Sequence, residues 1–142
     1  MEVIINWWAI LTTMIVGIIL GNLWFGPVFG KAWMQTIGIA MPDCVTPEVK
    51  KKMMKGMVFV IIGSLLTNIA LIHSIIFASA YTGTVGVTAG LMAGFWNWLG
   101  FVAPVMVGSV IWENRPWKYW FITAGYYLVV LAINGVILSV WR

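Results

Sequence analysis

Four apolar stretches divide the chain, at roughly Ile4–Phe25, Met57–Ala80, Val85–Ile111 and Trp117–Val140. None carries Asp, Glu, Lys or Arg in its core apart from Lys118 near one end. Each has the ~20 residues a helix needs to cross the hydrocarbon of a bilayer. A helix also closes its backbone hydrogen bonds within itself, as lipid demands. The pattern therefore predicts an all-α fold: a polytopic membrane protein, one domain over residues 1–142, built as a four-transmembrane-helix bundle. The first stretch has no basic residue before it and lacks a clean cleavage site, so a span is expected rather than a cleaved leader.

The segments between the spans differ in character. In the loop over residues 27–56, Lys31–Gly38 sets Trp33, Met34 and Ile37 among polar residues, which predicts a short interfacial amphipathic helix. Thr46-Pro47-Glu48 supplies a cap, a proline for the first helical position and an acid for the first turn. The second helix should thus begin near Pro47, in water, and enter the membrane near Met57. Tyr81–Thr84 reads as a short uncharged turn. Glu113-Asn114-Arg115-Pro116 reads as a tight charged turn whose proline opens the last helix.

Composition agrees with the pattern, and charge adds an orientation. The chain is 62% hydrophobic and 8% charged, with a mean hydropathy of +0.99. Soluble domains carry about 25% charged residues to wet their surface. Lys31, Lys50, Lys51, Lys52 and Lys55 lie in the first loop, and Arg115 and Lys118 beside the last turn, against Arg142 alone on the opposite side. This asymmetry predicts a multi-pass protein of the cell (inner) membrane with both loops cytoplasmic and both termini outside. Trp7, Trp8 and Trp141 would form an outer aromatic belt, and Trp24, Trp33, Trp112, Trp117 and Trp120 an inner one. The basic excess is then an orientation signal, and no nucleic-acid partner is expected. Cys44 is the only cysteine, so it can form no internal disulfide and is expected to be a loop thiol.

Five polar side chains fall inside the spans: Asn22, Asn68, His73, Asn97 and Asn134. Counting 1.5 Å per residue from the helix ends puts Asn68 and Asn97 near mid-membrane, and His73 with Asn134 on a shallower tier. Buried amides of this kind either tie helices together, at about 0.6–2 kcal/mol each, or form a ligand or permeation site. His73, the one histidine, cannot build a metal cage alone. Proton handling or axial haem ligation are its sharper readings. Trp96 and Trp98 flank Asn97, too deep for a belt, and would either pack or wall a flat-ligand pocket. Gly86, Gly90 and Gly94, with Ala89 and Ala93 beside them, make a ridge for close helix contact, within the chain or between copies. Pro104 deprives the Gly100 carbonyl of its donor and predicts a kink. In the last turn Glu113 is expected to pair with Arg115, Lys31 or Lys55, or to join Arg115 in a cytoplasmic site for a charged solute or headgroup.

The sequence also hints at an internal repeat. Phe59-xxx-Gly63-xx-Leu66-xxx-Ala70 aligns with Phe121-xxx-Gly125-xx-Leu128-xxx-Ala132, and Pro27-Val28 with Pro104-Val105 at another offset. Two parallel-repeat hairpins would produce this pattern.

Leu20-Gly21-Asn22-Leu23-Trp24-Phe25-Gly26-Pro27-Val28-Phe29-Gly30-Lys31-Ala32-Trp33-Met34 resembles the first-helix signature of the bacterial domain-of-unknown-function family 1761. So do Gly100-Phe101-Val102-Ala103-Pro104, Trp112 through Lys118, and Ala124-Gly125-Tyr126-Tyr127, in order and spacing over nearly the whole chain. The resemblance implies a small four-helix membrane protein and brings no activity with it. Phe25-Gly26-Pro27-Val28 followed by Gly38-Ile39-Ala40, with ten tryptophans overall, is also similar to the tryptophan-rich sensory proteins, which bind porphyrins and sterols and have five spans.

No nucleophile–base–acid set, phosphate-cradling glycine loop or HExxH is present, and Glu2, Asp43, Glu48 and Glu113 are all expected at the membrane edge or beyond it. An enzyme is not expected, nor a metal or other cofactor. The expected partners are the bilayer, further copies in a homo-oligomer, and a hydrophobic small molecule. The expected function is binding, or service as a scaffold or accessory subunit, around a polar intramembrane site. A channel or transporter, and a porphyrin- or lipid-binding protein, are the alternatives.

Overall fold

The computed structural model describes residues 5–38 and 46–141. Glu2, Asp43, Cys44 and Arg142 lie outside them. Four helices are long and apolar enough to cross a membrane: Trp7–Val28, Pro47–Thr82, Gly86–Ile111 and Trp117–Val140. No strand occurs among the described residues.

The first span is α1 (Trp7–Leu23), started by Asn6, whose side chain accepts from the backbone N–H groups of Trp8 and Ala9 at 3.0 and 3.3 Å. It runs into a kink at Trp24–Val28, where Gly26 leaves helical geometry (φ −104°, ψ −105°) ahead of Pro27. The kink closes on a bond from Phe29 N–H to the Trp24 carbonyl, five residues back. The short α2 (Gly30–Ile37) follows, ended by Gly38 in the left-handed region at φ 71°.

The second span, α3 (Pro47–Thr82), is 36 residues long. That is about 54 Å, well beyond the ~30 Å hydrocarbon core, so part of it must stand outside the bilayer. Its start matches the capping signal in the sequence, with Thr46 Oγ1 accepting from Val49 N–H at 3.4 Å. Gly83, at φ 71°, stops it.

The third span is interrupted as well, by a different device. Helix α4 (Gly86–Asn97) passes through a π-helical turn at Trp98–Val102 into α5 (Ala103–Ile111). Here Ala103 N–H bonds the Trp98 carbonyl, again five residues back, just before Pro104. The irregularity expected at this proline thus lies in the turn before it and takes a π form. The last span, α6 (Trp117–Val140), follows Pro116.

Helix α6 is the hub. Eight of its residues are buried, more than on any other helix. Its tightest partner is α4, which runs antiparallel to it. A Cβ placed on Gly94 would stand 2.6 Å from the Leu131 carbonyl oxygen, and one on Gly90 or Gly135 would strike the other's backbone. Gly90 and Gly94 are therefore spent within the chain. Gly86 is not part of that contact: it starts α4 at φ 65° with open space around it.

The core gathers at the end of the bundle nearest the termini. Ala9 and Ile10 of α1, Leu71, Ile72 and Ile75 of α3, Ala89 and Ala93 of α4, and Leu131 and Leu138 of α6 form one buried cluster. Toward the other end α3 leaves the bundle, and every residue from Lys50 to Gly63 is exposed. The two halves of the apparent repeat accordingly sit in different surroundings. Gly63 faces open space, whereas Gly125 packs against the Trp24 ring.

Candidate functional site

Where α3 parts from α1, a cleft of about 610 Å³ opens between α1, α3 and α6. One wall is Gly17, Ile18, Gly21 and Asn22 of α1 with Phe25 just beyond it, and the α3 wall runs from Met57 to Asn68. Tyr126, Tyr127, Val130 and Asn134 of α6 form the floor. The rim residues Phe59, Val60, Gly63, Thr67 and Asn22 are all exposed, so the cleft faces the lipid side of the bundle. No charged residue and no histidine lines it.

The floor is built by glycines on α1. A Cβ on Gly21 would stand 3.2 Å from the Tyr126 hydroxyl oxygen, and one on Gly17 would stand 3.5 Å from Val130. Their absence lets Tyr126 lie against α1 and donate its hydroxyl to the Gly17 carbonyl at 3.1 Å. The Tyr126 ring is also held between Phe25, at 5.0 Å, and Tyr127, at 5.3 Å.

The deep end carries a directed chain of amides. Asn134 Nδ2 donates to Asn68 Oδ1 at 3.0 Å, and Asn68 Nδ2 donates in turn to the Ser64 carbonyl at 2.9 Å and, longer, to Ser64 Oγ at 3.4 Å. Both asparagines are almost fully buried, at 1% exposure for Asn68 and 4% for Asn134. Turning Asn134 over would set its oxygen against that of Asn68. One polar atom is left over, since Asn134 Oδ1 is buried and accepts from nothing among the described residues.

The pairing departs from the depths counted along the sequence. Asn134 meets Asn68, expected a tier away, and not His73. Asn68 lies fourteen residues before the end of α3 and Asn134 six before the end of α6, a stagger of eight residues, or about 12 Å along the axes. Asn97, expected level with Asn68, instead donates to the Ala93 carbonyl of its own helix and accepts from Ser74 Oγ at 3.4 Å. His73 hydrogen-bonds the Ile69 carbonyl through Nδ1 at 2.7 Å and meets Phe77 edge-on, away from the cleft lining. Asn22 lies on the rim and donates to the Ile18 carbonyl.

Trp96 and Trp98 do not share a wall. Trp96 is 61% exposed, and Trp98 turns inward to donate its indole N–H to the Ala124 carbonyl at 2.8 Å. The inner belt divides in the same way. Trp112 and Trp117 are exposed, whereas Trp24 and Trp120 donate to the carbonyls of Ile122 and Ala103. In the last turn, Glu113 meets Arg115 at 3.9 Å with its side chain 65% exposed. This is the one ion pair among the described residues, and neither Lys31 nor Lys55 joins it.

Sequence reasoning singled out Asn68 and Asn134 but not Tyr126, Ser64 or Gly63 as site residues. Tyr126 stood in one of the motifs that carried the resemblance, and that was its only signal. Those motifs converge in space: Trp24 packs on Gly125 and bonds the Ile122 carbonyl, and Phe25 packs on Tyr126. A family model described as Protein of unknown function (DUF1761) matches residues 8–139. The chain belongs to the DUF1761 family. No curated protein and no solved structure matches it. Within this DUF1761 protein, the first-helix signature and the Gly125-Tyr126-Tyr127 motif thus build one wall and the floor of the cleft.

Proposed function

We propose that this DUF1761 protein binds an apolar, lipid-like molecule in the lateral cleft between α1, α3 and α6. The observation that carries this reading is the cleft itself. Its volume of about 610 Å³ lies within the ~300–1,000 Å³ of ligand pockets, and its wall is mostly apolar with a few convergent polar groups. A molecule already in the bilayer would enter sideways, between the free half of α3 and α1. Binding fits the polar residues better than transport does, because Asn68–Asn134, Ser74–Asn97 and His73 belong to three separate sets of contacts rather than one path. With the basic loops in the cytoplasm, the cleft would face the inner leaflet.

The reading is tested by photolabelling the reconstituted protein with a long-chain hydrocarbon carrying a diazirine. Labels should concentrate on the segments Phe59–Asn68 and Tyr126–Asn134. Gly63→Phe, which projects a ring into open space at the rim, should remove them and leave the fold intact. Labels spread evenly over all lipid-facing helices, unchanged by Gly63→Phe, would refute the reading.

A further inference from the structure

The cleft has room for an apolar chain but no place for a charge, so the charged end of any lipid held there lies beyond its rim. No Lys, Arg, His, Asp or Glu lines it, and an unpaired charge in such surroundings is costly. The outermost lining residue of α3 is Met57, and the helix continues past it, exposed, through Lys55, Lys52, Lys51 and Lys50. Gly56–Thr82 carries no Asp, Glu, Lys or Arg and measures about 40 Å at ~1.5 Å per residue. That length takes up the ~30 Å hydrocarbon core, which sets the four lysines at and beyond the headgroup level. None of them is paired with a carboxylate among the described residues, where Glu113–Arg115 is the one ion pair.

Helical periodicity sorts the four lysines. Met57, Val60, Ser64 and Thr67 mark the α3 face that lines the cleft. At about 100° per residue, Met53 and Gly56 extend that face outward, with Lys50 on one side of it and Lys52 on the other. Lys51 and Lys55 fall on the far side of the helix. Gly56 has open space around it and Met53 is exposed, so the strip between Lys50 and Lys52 is left uncovered by the described residues.

An apolar cleft that runs out between two lysines is complementary to an apolar chain with a negative head. We infer that the cleft receives an acyl chain of an anionic phospholipid, whose phosphate Lys50 and Lys52 hold just outside the rim. The inference rests on the cleft being a binding site. A zwitterionic phospholipid brings a cationic group along with its phosphate, and that group meets the same two lysines. Repulsion between like charges then offsets much of the attraction, so the site selects for net negative charge.

The test is photolabelling in phosphatidylcholine vesicles doped with a trace of one of two probes, a phosphatidylglycerol or a phosphatidylcholine with the same diazirine-bearing chain. Labels on Phe59–Asn68 and Tyr126–Asn134 are read relative to those on Phe101 and Val105, exposed residues outside the cleft lining. That ratio should be at least about fivefold higher for phosphatidylglycerol, the contribution of a single lysine near an anionic headgroup. Lys50→Gln with Lys52→Gln should bring the two probes level. Lys51→Gln with Lys55→Gln, the same loss of charge on the far side of α3, should leave the preference in place. All four lysines are exposed, so neither double variant disturbs packing. Equal ratios on the unaltered protein, or no cleft labelling by either phospholipid, overturn the inference while the cleft reading stands. So does a preference lost equally in both double variants or kept in both. Displacement of the phosphatidylglycerol probe by inorganic phosphate also overturns it, by putting a soluble anion on the lysines in place of the lipid. Absence of cleft labelling by the long-chain hydrocarbon overturns both readings.

Discussion

Gly90 and Gly135 touch backbone to backbone, so neither position has room for a methyl group. A side chain can rotate out of the way, but a carbonyl in a helix cannot without opening α4 from α6. Gly90→Ala should therefore destabilise the protein by about 1–3 kcal/mol, the usual cost of overpacking, read as a lower unfolding temperature in mild detergent. Gly63→Ala, facing open space, should change it little, and a similar loss in both variants would contradict the contact. Asn68 gives a second residue-scale expectation. Asn68→Leu removes the acceptor that Asn134 uses and should cost about 0.6–2 kcal/mol in the same measurement. Glu113→Gln should be nearly silent, because a long, exposed pair contributes about 0–1 kcal/mol.

Two spans are interrupted near a proline at a stretch that a tryptophan opens, Trp24–Val28 with Pro27 inside it and Trp98–Val102 with Pro104 two residues beyond. In both, the indole N–H crosses to a carbonyl of α6, from Trp24 to Ile122 and from Trp98 to Ala124. In each, the indole fixes the irregular stretch to the regular α6. Trp98→Phe keeps most of the ring area but removes the bond. It should cost about 0.5–1.5 kcal/mol in thermal unfolding. An unchanged unfolding temperature would show the bond to be energetically idle. Trp24 and Trp120, expected in the inner belt, both turn their indole N–H groups inward, onto the carbonyls of Ile122 and Ala103. Hydropathy assigns them a depth, but a free indole N–H near a helix terminus finds a backbone acceptor inside the bundle.

At the scale of the whole molecule, packing is uneven. The end near the termini is closed by the shared aliphatic core, and the end near the basic loop is open because α3 leaves the bundle there. The positive-inside asymmetry predicts that the open end faces the cytoplasm. Labelling tests this, with Lys51→Cys and Thr84→Cys made separately after Cys44→Ser removes the native thiol. In intact cells, a membrane-impermeant maleimide should reach position 84 and not position 51. Reaction at 51 from outside would reverse the orientation.

Much of this was legible in the sequence, for definite physical reasons. Lipid requires each span to be continuous, apolar and helical, so hydropathy alone delimits the four helices, and Thr46-Pro47 marks the start of α3 because capping is a local matter. The irregularity at Pro104 is local too, since a missing N–H is written in the residue itself. What neighbours whom is not written there. A ridge of small residues announces that something comes close but not what, and only the antiparallel docking of α4 on α6 showed Gly90 and Gly94 to be used within the chain while Gly86 starts a helix. Depth counted from helix ends assumed level helices, and the eight-residue stagger of α3 against α6 set Asn68 beside Asn134 instead of Asn97. The cleft, its glycine-backed Tyr126 and the bond from Asn134 to Asn68 exist only where three helices meet. Their contacts join residues up to 109 positions apart, a separation that no local pattern in the chain encodes.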